Sequence, residues 1–154
     1  MSQPLVEPGV ILRHCTATEA AELRAAWLAA FGAHRHGVNA KDYLWHIFSA
    51  GRYPSVERDE AIAQYRQQRA AEYVVLSNDG RTAFATDRLP SSASFVDYYV
   101  FPPNLAWTMA FTHEAGWLGP YFAKHANFEP LNLANLAQLK KRQAAAAARA
   151  KGWA

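Results

Sequence analysis

The sequence predicts an α+β domain, with an antiparallel sheet of about four strands and with N-terminal helices and a C-terminal helix packed on one face. Three observations carry that prediction. Apolar residues recur at helical spacing up to about residue 70, at every second position from Glu72 to Thr112, and at helical spacing again from Leu131. Asp79-Gly80 lies inside the period-two region, where a tight hairpin needs positive φ. The chain has 154 residues, 51% of them apolar and 19% charged, which suits one domain able to bury a sizeable core without disulfides.

Taken in order, residues 1–9 carry two prolines and a glycine and read as an arm, and 10–13 as a short edge strand. Thr16 and Glu19 make a capping box, in which each side chain satisfies the other residue's free N–H. The helix behind it sets Leu23, Ala26, Trp27, Ala30 and Phe31 on one stripe and stops at Gly32. A second helix is expected over 40–50, with Tyr43, Leu44, Ile47 and Phe48 inward and Trp45 and His46 flanking them. A third opens at Pro54-Ser55, with Glu57, Asp59 and Glu60 in its first turn and Arg66 and Arg69 in its last, as the macrodipole favours.

The strands follow. "EYVVLSNDGRTAFATD" reads as a hairpin and Leu89 to Ser94 as a polar connection. "SFVDYYVF" and "AWTMAFTH" read as two strands joined through Pro102 to Leu105. Pairing Phe101 with Ala106 puts Val96, Tyr98, Val100, Trp107, Met109 and Phe111 on a core face. Phe95, Asp97, Tyr99, Thr108, Ala110 and Thr112 fall on a mixed face. The last helix turns Leu133, Leu136 and Leu139 inward and runs into "KKRQAAAAARAKGWA". The expected organisation is one domain over 1–139, then a basic, Ala-rich helical tail over 140–154 that frays into solvent.

Charge is uneven. The net charge is +3, yet the five basic residues after Glu129 face no acid, and removing them from the 16 leaves 11 against 13 acidic residues. The excess describes a tail rather than a nucleic-acid-binding face, so nucleic acid ranks last among partners. Cys15 is the only cysteine, which excludes an internal disulfide and CxxC chemistry and suits a reducing compartment. No apolar run approaches a membrane span and the first residues lack a signal-peptide pattern, so a cytoplasmic protein without membrane contact is expected.

The chemistry concentrates in "WTMAFTHEAGWLGPYF", where Thr112, His113 and Glu114 fall at the end of a strand before Gly116, Gly119 and Pro120, with the alternation putting His113 on the core face and Glu114 on the mixed face with Asp97. His113, Glu114 and Asp97, with His46 nearby if its helix lies on the core face, are the catalytic candidates. Two carboxylates and an imidazole serve acid–base work or hold a divalent metal. The same residues suit a structural role, because a tight reversal needs polar side chains to satisfy its backbone. There is no HExxH and no GxSxG, and the HxH of His34 and His36 has no partner at ligand spacing, so no cofactor or resident metal is expected. Tyr99, Asp97, Thr108 and Thr112 on the mixed face, with Trp117 in its glycine-flanked loop, form the candidate binding surface.

"YLWHIFS" (residues 43–49) and "DYYVFPPNLAWTMAFTHEAGWLGPYF" (residues 97–122) resemble a family of small bacterial proteins catalogued as a domain of unknown function. The resemblance spans about residues 20–123 and brings no assigned activity. It implies that His46, Asp97, Thr112, His113, Glu114 and Tyr121 belong to one shared architecture. The leading functional expectation is a protein-binding module, with an immunity-type antagonist of a toxin as its sharpest form. The alternatives are a metal-dependent hydrolase or nuclease-like enzyme built on Asp97, His113 and Glu114, and a nucleic-acid-associated protein using the basic tail.

Overall fold

The computed structural model describes residues 4–152. In chain order the elements are β1 (Val6–Glu7), β2 (Ile11–His14), α1 (Ala17–Phe31), α2 (His46–Ser49), β3 (Val56–Glu57), α3 (Arg58–Arg66), β4 (Tyr73–Ser77) and β5 (Ala83–Thr86). β6 (Ser92–Ala93), β7 (Tyr98–Phe101), β8 (Trp107–Phe111), β9 (Tyr121–Lys124) and α4 (Phe128–Ala150) follow. The main sheet has seven strands in the order β2-β5-β4-β7-β8-β9-β3, with every neighbouring pair antiparallel. A separate ribbon pairs β1 with β6.

The sheet is therefore larger than the four strands expected. The additional strands are short: β2, the edge strand read over 10–13, and β3 flank the sheet, and β9, between β8 and β3, takes "YFAK" from what reads as loop after Gly119-Pro120. Two- to four-residue strands carry too few alternations to register as a period.

The capping box at Thr16 and Glu19 forms as expected. Its helix buries Ala20, Trp27 and Phe31 against the sheet. The second expected helix shrinks to the single turn of α2, preceded by turns from residue 40. The Asn39 side chain binds that of Asp42 at the start of those turns. The hairpin of β4 and β5 turns through residues 78–82, closed by the Ser77 N–H on the Thr82 carbonyl. Gly80 within it has φ of 71°.

Both faces of the sheet are covered, where helices on one face were expected. α1 and the 40–49 segment pack on Val74, Leu76, Tyr99, Phe101, Ala110 and Tyr121. α3 and the start of α4 pack on Tyr73, Val75, Tyr98, Val100, Trp107, Met109 and Phe122. β7 and β8 pair Val100 with Met109 and Tyr99 with Ala110, two residues from the Phe101–Ala106 register. An even offset leaves each side chain on its expected face. The face read as mixed is a second core layer, so Tyr99 and Thr108 are interior residues and not binding surface. Val96, assigned to the core, is 76% exposed, because β7 starts only at Tyr98.

α4 runs unbroken through residues 139 and 140. Pro130 falls in its first turn, where a missing N–H costs nothing. It docks through Phe128, Leu131 and the buried Asn135, whose amide donates to Asn104 Oδ1 at 3.2 Å. Leu133 and Leu136, expected inward, are exposed, because the docked stripe is offset from the leucine stripe. No helix among the described residues is long and apolar enough to cross a membrane.

Candidate functional site

β8 ends at Phe111, and the chain turns back before the alternation can carry His113 to the core face. That reversal brings His113 onto Asp97, which precedes β7. The Asp97 carboxylate has a side chain 5% exposed and draws three segments together. Its Oδ2 accepts from the Trp45 indole Nε1–H at 2.8 Å and from the His113 backbone N–H at 3.3 Å. His113 Nδ1 lies 3.0 Å from both carboxylate oxygens. This geometry places the proton on Nδ1 and turns Nε2 outward, 3.5 Å from Glu114 Oε1. Hydrogen bonding to Asp97 holds the imidazolium and raises the His113 pKa above its ordinary value.

Aromatic rings close the other side. Tyr43 packs on His113 at 5.1 Å between ring centroids, and Trp45 stacks on Tyr121 at 6.2 Å. His46 does not join Asp97 and His113. Its Nδ1 contacts the Asn39 carbonyl at 2.7 Å, and its ring packs on Trp45 and Tyr43. Tyr99 is held from both sides: its hydroxyl accepts from the Trp45 backbone N–H at 3.0 Å and donates to Asn78 Oδ1 at 2.7 Å. Burial pushes its pKa well up.

The loop after His113 is tied to itself. The Trp117 and Leu118 N–H groups both donate to the Glu114 carbonyl, at 3.0 and 2.8 Å, and the Gly116 N–H donates to the Gly119 carbonyl at 3.0 Å. The Thr112 hydroxyl donates to the Leu118 carbonyl, so Thr112 is a buried loop tie and not a contact surface. Gly119 is required here. Its φ is 93°, and a Cβ would sit 2.9 Å from the Thr112 methyl.

These ties leave Trp117 73% exposed, the only one of the five proposed surface residues that solvent reaches freely. Asp97, Tyr99, Thr108 and Thr112 are all buried. Beside Trp117 lies a cavity of about 730 Å³ whose walls include Tyr121, Phe48, Glu57, Arg58 and Glu60. Sequence reading missed Arg58. Its backbone N–H donates to the Pro120 carbonyl at 2.9 Å and its guanidinium to the Trp117 carbonyl at 3.3 Å. Its φ of 57° has no signature in the sequence.

The Asp97 carboxylate already accepts from Trp45 and His113. Among the described residues no three His, Cys, Asp or Glu side chains come together as a metal-binding group. What the arrangement offers chemically is a charged hydrogen-bond clasp with one outward imidazole nitrogen beside a carboxylate.

No curated protein and no solved structure matches the chain. A family model does match, over residues 20–122, which takes in most of α1, the Asp97–His113 clasp and the Trp117 loop and leaves α4 outside. That is about two-thirds of the chain, and the protein belongs to the family described as Domain of unknown function (DUF4275).

Proposed function

We propose that this is a protein-binding module that presents Trp117 to a basic partner protein. The observation that supports it is a 73% exposed tryptophan on a loop bonded within itself and to Asp97 and Arg58. A rigid, exposed indole loses little entropy on docking and is the residue type most enriched among interface anchors. Glu57, Asp59 and Glu60 line the concavities beside the loop, and Glu114 lies at its base. Arg58 is the only Arg or Lys lining those concavities among the described residues, and it is already paired with Glu57 at 3.1 Å. That charge complements a cationic face and speeds encounter with it. An immunity-type antagonist of a basic toxin is one form of this docking.

Photo-crosslinking from position 117 in the full chain identifies the partner, and titration of the purified partner tests the contact. Trp117→Ala is expected to weaken binding by at least about tenfold, the scale of a hot-spot truncation, with an unchanged melting point. Equal binding by wild type and Trp117→Ala would overturn the proposal.

The hydrolase reading keeps one supporting observation, the outward His113 Nε2 beside Glu114. It requires a melting point that rises with added divalent metal and stops rising in Glu114→Gln or His113→Gln. A melting point indifferent to metal is the result expected here.

A further inference from the structure

A second concavity lies away from Trp117, between the C-terminal half of α1 and the loop that leaves it. It encloses about 580 Å³ and is lined by Arg24, Leu28, Arg35, His36, Val38 and Lys41, with the small side chains of Ala33 and Ala40. No carboxylate is among its walls. Asp42, next in sequence to Lys41, accepts from the Asn39 side-chain amide at 2.7 Å. None of Arg24, Arg35 and Lys41 is in an ion pair among the described residues.

The placement of these cations is built into the fold. The Arg24 stem lies on Gly80 of the β4–β5 turn so closely that a Cβ there would sit 2.3 Å from Arg24 Cδ. That contact, with Gly80 at φ of 71°, seats a partly buried Arg24 against the β4–β5 turn. Arg35 donates to the Gly32 carbonyl at 2.7 Å, which answers the exposed carbonyls at the end of α1 and fixes its fork. Arg24 and Lys41 answer no such group. Arg52 stands behind the same loop, its guanidinium 3.7 Å from where a Gly37 Cβ would lie.

Cations gathered in a concavity without acids repel one another and focus a positive potential into it. We propose that this cavity binds a small phosphate-bearing ligand. Two arginine forks match the paired oxygens of a phosphate, and lysine adds a point charge. Leu28 and Val38 supply an apolar wall for the body that carries the phosphate. The volume falls within the range of small-molecule sites, roughly 300–1,000 Å³. A polyanion track would need the charges strung along a surface. The basic residues of α4 do not extend this one, because α4 docks on the opposite face of the sheet from α1.

Calorimetric titration of the full chain with inorganic tripolyphosphate and with ATP, at constant ionic strength, tests the site. Saturable binding of one or both below about 1 mM is expected, the upper end of specific small-ligand affinity. Arg24→Gln/Lys41→Gln should weaken it at least about tenfold, since charge-assisted bonds carry phosphate affinity. Lys140→Gln/Lys141→Gln, on α4, should leave it unchanged. If the first double variant fails to fold by circular dichroism, the exposed singles Lys41→Gln and His36→Gln take its place, with the same loss expected in smaller measure. No saturable binding, or equal loss in the α4 variant, would overturn the proposal. So would a single-stranded oligonucleotide that displaces tripolyphosphate from the same residues at lower concentration.

Discussion

The two faces of the sheet are held by different chemistry. On the α1 side, buried polar groups are joined to one another. The Trp27 indole donates to the Thr108 hydroxyl at 2.9 Å, the Trp45 indole to Asp97 at 2.8 Å, and the Tyr99 hydroxyl bridges Asn78 and the Trp45 backbone. On the α3 side buried hydroxyls bond to backbone, where Tyr65 donates to the Pro90 carbonyl and Tyr73 accepts from the Ala70 N–H, and the remaining contacts are mainly ring on ring. Trp107 stacks on Phe122 at 5.8 Å and meets Tyr65 edge-on, and its indole N–H is buried without a hydrogen-bond partner. Apolar burial is non-directional and gives cohesion, whereas a bonded polar group accepts one geometry only. The α1 face therefore fixes where the 40–49 segment and the 113–119 loop sit, and the α3 face supplies packing that tolerates exchange.

Substitutions should separate the two faces, beginning with the largest effect. Trp107→Ala empties the α3-side core and should cost about 3–5 kcal/mol in a denaturant titration. Trp107→Phe discards an unpaired N–H along with some volume and should cost less than about 1.5 kcal/mol. Asp97→Ala leaves the Trp45 indole and the His113 backbone N–H without their acceptor and should cost about 2–3 kcal/mol. Thr108→Val keeps the volume and strands the Trp27 indole N–H, at about 1–2 kcal/mol by the same measurement. Near-equal effects of Trp107→Phe and Asp97→Ala would erase the contrast between the faces.

A pH series sharpens it further. The His113 pKa is raised on folding by Asp97, so the stability from this pair is fully present below the unfolded value near 6.5 and is lost as pH rises through the raised folded value. Urea midpoints taken across that window should fall in wild type, and the step should vanish in His113→Gln. The smallest effect is expected at the far end of α4. Deleting residues 143–154 removes a helix end whose described residues are almost all exposed and should change stability by less than about 0.5 kcal/mol.

How much of this was legible in the sequence depended on how local the determinant was. The capping box at Thr16 and Glu19 and the strands around Val75, Phe84, Val100 and Met109 were readable, because four to fifteen residues carry the pattern. Tyr99 and Thr108 were assigned to the correct side of their strands and to the wrong environment. Whether a second layer covers that side is decided by α1, more than 60 residues away in the chain. Asp97 and His113 were named together but placed on opposite faces, because the period of two was carried past the end of β8. Trp117 was legible as exposed from its flanking glycines. Arg24, Arg35, His36 and Lys41 were not legible as a group, since a helix face and an irregular loop share no spacing rule.

The most direct measurement is hydrogen exchange at the Trp117 and Leu118 amides, the two donors that close the loop on the Glu114 carbonyl. If the Asp97–His113 clasp braces the loop that presents Trp117, both amides should exchange faster in His113→Ala than in wild type. The β8 amides from Thr108 to Ala110 should keep their protection. Loop amides that exchange at the wild-type rate in His113→Ala would contradict the brace and return His113 to the list of candidate catalytic groups.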